Sequence, residues 1–244
     1  LALCIVCSIV VSTASVNLKP LQETNKVLDF KKNILSVAGM LDEGGDIEEQ
    51  FKNVTVKLVE LKAGKYSNAL DIDSYDQSKA AKDPALSEKL PSNANPAKLK
   101  GLEKYSKVFI AKHPDGKETY ILPVRGYGLW STLYGFLALE ADLETVVGLG
   151  FYDHGETPGL GGEVDNPKWK AQWKGKEVYN KDFQPDIEVI KGSVNPESPN
   201  AEHEVDGLSG ATITSRGVTH LLDFWLGDLG FKPYLEQVRE KEGK

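Results

Sequence analysis

Residues 1–18 carry no charged side chain, and Leu1, Leu3, Ile5, Val6, Ile9, Val10, Val11 and Val16 supply most of their bulk. A membrane-spanning helix needs roughly 20 residues of this kind. The run therefore divides the chain into an apolar segment and a remainder that must build its own core. The chain starts on Leu rather than Met, and a complete span that includes residues further upstream is the expectation. The alternative is a signal peptide, with Ser12-Thr13-Ala14 as a small-residue cleavage site. The apolar run exceeds the ~7–15 residues of a signal core, which favours an uncleaved anchor. Leu3, before Cys4, is too bulky for a lipoprotein box. Cys4 and Cys7 are the only cysteines, and in an apolar run they act as small hydrophobes. No disulfide framework or thiolate metal site is then available to the remainder.

After the run come Lys19, Lys26, Lys31 and Lys32, mixed with Glu23 and Asp29. Val27, Leu28, Ile34, Leu35, Val37 and Ala38 recur at helical spacing, which predicts a juxtamembrane helix ending near Gly39. The expected division is an anchor over 1–18, a juxtamembrane helix and linker over 19–45, and a folded domain over 46–244, on a side of the membrane that the visible charges do not decide. A net charge of −7 and a pI near 5.3 argue against nucleic acid as a partner.

Within 46–244 the pattern alternates between short strands and a few helices. Val54, Val56 and Leu58 read as a strand. Residues 63–100 are rich in Asp, Ser, Asn, Lys and Pro, and read as the least structured region, a long excursion or surface insertion with a helical patch at 77–82. Residues 107–124 read as a hairpin around Pro114-Asp115-Gly116. Residues 133–139 and 145–152 pair around Ala141-Asp142. Residues 166–173 read as a short helix with Pro167 in its first turn, and 187–190 as one more strand. Leu221, Leu222, Trp225, Leu226 and Leu229 predict an amphipathic helix over 218–229. The class is α+β: an N-terminal transmembrane helix, then antiparallel strands with packed helices.

Two stretches carry chemistry. In Asp206-Gly207-Leu208-Ser209-Gly210-Ala211-Thr212-Ile213-Thr214-Ser215, four hydroxyls fall within seven residues, just ahead of the predicted helix. Helix N-termini favour anions, so the stretch suits a phosphate, including one held as an ester. It also suits a Ser/Thr-rich loop that merely caps the helix. In His154-Gly155-Glu156-Thr157-Pro158-Gly159-Leu160-Gly161-Gly162-Glu163, four glycines and a proline can lie flat beside a planar ring, or can form an ordinary tight turn. No catalytic triad and no metal-ligand spacing is present.

Asp-Gly-x-Ser-Gly-Ala-Thr-x-Thr resembles the flavinylation motif of bacterial redox subunits. Seven fixed positions at usages of about 5–7% each match by chance at fewer than about one start in 10⁸. Glu156-Thr157-Pro158-Gly159-Leu160-Gly161 resembles a second segment of the same proteins. The likeness continues through Ile121–Val124, Gly128–Ser131 and Asp223–Asp228, and is weakest over 40–105. The family it indicates is the C-subunit family of sodium-translocating NADH:quinone reductases, with the G subunits of Rnf electron-transport complexes as the alternative. Leu129-Trp130 and Asp223–Asp228 tip the resemblance toward the quinone reductases.

The resemblance implies FMN bound covalently through a phosphoester to Thr214. It implies Ser209, Gly210, Ala211 and Thr212 around the phosphate, and Glu156, Thr157, Pro158, Gly159, Leu160 and Trp130 near the isoalloxazine. Arg216 would offset phosphate charge, or simply sit in solvent. A separate flavin transferase with FAD as donor would attach the group. The implied setting is the bacterial inner membrane, with the folded domain in the periplasm beside the other subunits of a redox complex. Electrons would pass from an iron–sulfur centre toward a membrane flavin and quinone, and the NADH:quinone reductase activity would belong to the whole assembly.

Overall fold

The computed structural model describes residues 2–242. Leu1 of the expected anchor and residues 243–244 of the expected domain lie outside them. Helix α1 runs unbroken over Ala2–Val37, about 54 Å at 1.5 Å per residue. It passes through Pro20, whose missing N–H removes one helical hydrogen bond. Its apolar N-terminal part is uncovered by the rest of the chain. The predicted stop near Gly39 is confirmed: Gly39 takes φ +68°, a left-handed conformation that ends the helix.

After α2 (Ile47–Phe51), whose N-cap Asp46 accepts from the N–H groups of Glu48 and Glu49, come strands β1 (Val54–Glu60) and β2 (Lys65–Tyr66). The excursion, which β2 opens, contains α3 (Gln77–Ala80) and β3 (Ser87–Glu88), and β4 (Leu102–Glu103) follows it. The predicted hairpins are β5 (Tyr105–Lys112) with β6 (Glu118–Tyr127), and β7 (Thr132–Leu139) with β8 (Val146–Asp153). Then follow α4 (Pro167–Ala171), capped by Asn166, β9 (Glu188–Val189), β10 (Glu204–Val205), α5 (Thr212–Trp225) and α6 (Lys232–Glu242). The main sheet has six strands in the order β2-β1-β5-β6-β7-β8, all antiparallel. The strand read at 187–190 is short. It pairs parallel with β10, outside that sheet.

Side chains on a strand alternate between faces, and both faces here are apolar. Val108, Tyr120, Leu122, Leu137 and Leu139 enter the larger core with Val218, Leu221, Leu222 and Trp225 of α5. Phe109, Ile121, Phe136 and Ala138 point the other way and pack against Ile34, Leu35, Val37 and Ala38 at the end of α1. Phe30 adds edge-on contacts with Phe109, Phe136 and Tyr152. The sheet is therefore clamped between the root of the apolar helix and α5.

Two expectations change. Helix α5 begins at Thr212, six residues before the predicted start at Val218, and ends at Trp225, so Leu226 is its C-cap and Leu229 lies beyond. Its first turns bury Thr214, Ser215 and Gly217 rather than bulky apolar residues, so a search for apolar periodicity misses them. The helix there approaches backbone: a Cβ on Gly217 would lie 2.7 Å from the carbonyl oxygen of Tyr127. The polar excursion is ordered and tied to the sheet. Tyr75 donates to the carbonyl of Tyr105 at 2.7 Å, and Gln77 bridges Glu103 and the N–H of Lys107. Arg125 forks onto Glu103 at 2.6 and 2.8 Å and also donates to the Gly101 carbonyl. Glu103 is fully buried there.

Removing one partner of a buried ion pair strands the other charge, at about 3–5 kcal/mol. Arg125→Ala is expected to lower the free energy of unfolding by about that amount, read by urea titration of tryptophan fluorescence. An unfolding midpoint equal to that of the unmodified sequence would show that the excursion is held without this pair.

Candidate functional site

Three segments meet where the β6–β7 turn closes, β8 ends and α5 begins. They are the turn at 128–131, the glycine-rich segment at 154–163 and the hydroxyl-rich segment at 206–215. Glu156 joins all three. It is only 5% exposed. Its Oε1 accepts from the backbone N–H groups of Leu129, Trp130 and Ser131 at 3.1, 2.9 and 3.2 Å. Its Oε2 accepts the hydroxyl of Thr214 at 2.6 Å. Successive N–H groups converging on one oxygen form an anion-binding nest. Burial raises the pKa of the Glu156 carboxyl, but the hydrogen bonds from Thr214, Trp130, Ser131 and Leu129 outweigh it and hold the group below its ordinary value. The carboxylate is ionised at neutral pH.

The segments are pinned separately as well. Ser131 Oγ accepts from Gly155 N–H at 2.6 Å. His154 Nδ1 lies 3.2 Å from the N–H of Glu156, and its Nε2 lies 2.8 Å from Asp165. Asp206 accepts from Val194 N–H and Gln172, while its carbonyl takes the indole N–H of Trp169. Its place at the head of the motif is thereby explained: it locks the loop to α4 and the 190s. Ser215 Oγ accepts from Leu208 N–H inside the turn.

The four hydroxyls divide. Ser209 and Thr212 are exposed, whereas Thr214 and Ser215 are buried. Thr212 lies in the first turn of α5 rather than in a loop. Ala211 stands at the N-cap and offers no side-chain oxygen, so it leaves the dipole-positive end of α5 without a side-chain cap. Gly210 takes φ +73°, and Leu160 lies over it. Gly161 covers the buried hydroxyl so closely that a Cβ there would fall 2.5 Å from Thr214 Oγ1 and 2.7 Å from Glu156 Oε2.

The other expected residues fall around this contact. Thr157, Pro158 and Gly159 are exposed on the turn that carries Leu160. Trp130, Ile213 and Leu160 are 65, 54 and 44% exposed, one from each of the three segments. Each of the three segments thus leaves one large apolar side chain open to solvent. Trp130 is therefore not a core residue. Glu156, expected beside a ring, turns its carboxylate inward because four donors hold it there. Arg216 is exposed on α5. The nest at 129–131 and the His154–Asp165 pair are invisible in the sequence, since backbone donors and contacts between distant segments leave no residue-type signal.

Comparison with known proteins places both chemistry-bearing segments in one unit. The family of the FMN-binding domain matches residues 128–227. The C subunit of the Na(+)-translocating NADH-quinone reductase of Pseudomonas aeruginosa is 53% identical over 247 residues, which cover 99% of this chain and 94% of that protein. The corresponding protein of Vibrio anguillarum is 48% identical, with 98% and 92% covered. Among solved structures, Shewanella oneidensis NqrC superposes with a TM-score of 0.80 at 32% identity, covering 87% of this chain and 97% of that one. The Na(+)-translocating NADH-quinone reductase C subunit from Parabacteroides distasonis gives a TM-score of 0.68 at 29% identity, with 89% and 96% covered. Likeness of this extent, over nearly the whole of both partners, makes this chain a member of the family of Na(+)-translocating NADH-quinone reductase C subunits.

Proposed function

We propose that the chain is an electron-carrying subunit of a sodium-translocating NADH:quinone reductase, and that it holds FMN through a phosphoester on Thr214. The observation that carries this reading is the Thr214–Glu156 contact at 2.6 Å. Of the four hydroxyls in the motif, Thr214 alone is held by a carboxylate, and it lies inside the region that matches an FMN-binding domain.

The residues present suit that group. The N-terminus of α5 lacks a side-chain cap and favours an anion. Ser209 and Thr212 offer exposed hydroxyls on either side of Gly210 and Ala211. Trp130, Leu160 and Ile213 offer apolar surface, with Thr157, Pro158 and Gly159 completing the turn. FMN supplies redox chemistry that protein side chains lack; the chain's part is to bind, orient and insulate it. Thr214 is then an attachment point and takes no part in turnover. Because Gly161 lies against Thr214 Oγ1, esterification requires the 157–162 turn to swing outward.

The apolar part of α1 is long enough to anchor the domain in the inner membrane, and the domain is proposed to face the periplasm. A cofactor that dissociated there would be diluted away, which gives covalent attachment a physical advantage. The same reading divides the chain into the anchor at 1–18, the connecting stretch at 19–45 and the FMN-binding part at 46–244, with the end of α1 packed onto the sheet. The other subunits of the complex supply the iron–sulfur donor and the membrane flavin acceptor on the way to quinone, and a flavin transferase with FAD as donor loads the group.

Protein purified from its own host is expected to exceed its bare-chain mass by one FMN less one water, with the added mass mapping to the peptide that contains Thr214. Thr214→Ala is expected to leave the bare mass and no colour after denaturation, and Thr214→Ser to keep both the adduct and the colour. A bare mass in native-host material would overturn the covalent reading. For sidedness, a cysteine placed at exposed Lys181, in a chain whose Cys4 and Cys7 are serines, is expected to react with a membrane-impermeant thiol reagent in spheroplasts. Protection there, with labelling only after lysis, would put the domain in the cytoplasm.

A further inference from the structure

A threonine hydroxyl is a poor nucleophile until a base takes its proton. In the unmodified chain Thr214 Oγ1 already donates to Glu156 Oε2 at 2.6 Å, within the reach a general base needs. We propose that Glu156 is the proton acceptor for the attachment of the flavin phosphate, so that the protein being modified supplies the base for its own modification. This rests on Thr214 being the ester site.

The arrangement is more specific than a buried hydrogen bond. Glu156 Oε1 is occupied by the N–H groups of Leu129, Trp130 and Ser131. Those bonds fix the carboxylate plane and leave Oε2 for Thr214, apart from a shared contact with Leu129 N–H at 3.2 Å. Gly128 and Gly161 leave room for the carboxylate at this position: a Cβ on either would come within 2.7 Å of one of its oxygens. Ser209 and Thr212 are exposed and have no such acceptor. The carboxylate thus also selects one hydroxyl among the motif's four.

The step balances without a redox partner. Thr214 Oγ1 attacks the flavin-side phosphorus of a flavin dinucleotide. The Oγ1–P bond forms as the P–O bond to the adenylate half breaks, and AMP leaves with the bridging oxygen and its electron pair. The hydroxyl proton passes to Glu156 Oε2 and on to solvent. Glu156 then loses one donor but keeps three, so the turn that carries Trp130 stays anchored when the ester is complete.

The test uses full-length, unmodified chain in detergent, made in a host without a flavin transferase, then mixed with FAD and purified transferase. Intact mass is followed with time. The chain without substitution is expected to convert fully to the Thr214 adduct. Glu156→Gln keeps an oxygen for the three N–H groups but cannot take a proton. It is expected to keep its thermal unfolding midpoint and to be modified about 100-fold more slowly or worse, the lower range for loss of a general base. Glu156→Asp keeps a carboxylate, drawn back by one methylene, and is expected to fall between the two. Modification of folded Glu156→Gln at the unsubstituted rate overturns the proposal. If Glu156→Gln does not fold, Glu156→Asp decides: an unsubstituted rate overturns it and a slowed rate supports it. An unsubstituted chain that keeps its bare mass overturns the ester reading itself, and this proposal with it.

Discussion

The site depends on one buried carboxylate. Moving an ionised carboxylate out of water is costly unless donors replace the lost solvation. Glu156 has three backbone N–H groups and one hydroxyl in place of water. Each donor comes from a segment far away in sequence, the 128–131 turn on one side and α5 on the other. These bonds to Glu156 join the segments, beside the separate contact of Ser131 with Gly155. The close approach also dictates the small residues around it. Gly128 and Gly161 border the carboxylate, and Gly217 lets α5 lie against the β6–β7 turn.

The sheet separates the root of α1 from the candidate site. Its two faces are both apolar, so each must be covered. One is covered by the last turns of α1, with Ile34, Leu35 and Val37 on Phe109 and Phe136. The other is covered by α5, with Leu221, Leu222 and Trp225 over Leu122, Val124 and Leu137. The start of α5, where the site lies, is set by packing on the second face. The sheet lies between the helix root and the site, and Arg125–Glu103 ties the polar excursion to the same framework.

Much of the architecture was legible in residue patterns. The alternation in 107–124 and 133–152 marked two hairpins, and both appear with turns at Pro114–Gly116 and Ala141–Asp142. Asn166-Pro167 marked a helix start, and Asn166 caps α4. The start of α5 was not legible, because Thr214, Ser215 and Gly217 are buried by contact with backbone, and periodicity counts only bulky apolar residues. The order within 63–100 was hidden for a similar reason. Tyr75, Gln77 and Arg125 hold it through hydrogen bonds to distant groups, whereas composition reports only that the stretch is polar.

At the site the division is sharper. By itself the chain's order of residues determined the apolar helix, the α+β class, and two small-residue segments whose motifs resemble one family. Local chemistry writes these directly: uncharged runs, period-two alternation, glycine and hydroxyl spacing. The tertiary structure alone decided that Glu156 faces Thr214, that two hydroxyls point inward and two outward, and that Gly161 closes over the contact. The first is a meeting between residues 58 apart in the chain, and the carboxylate's other partners are backbone groups. A backbone N–H has the same identity at every non-proline position, so only its place in the fold reveals which carboxylate it serves.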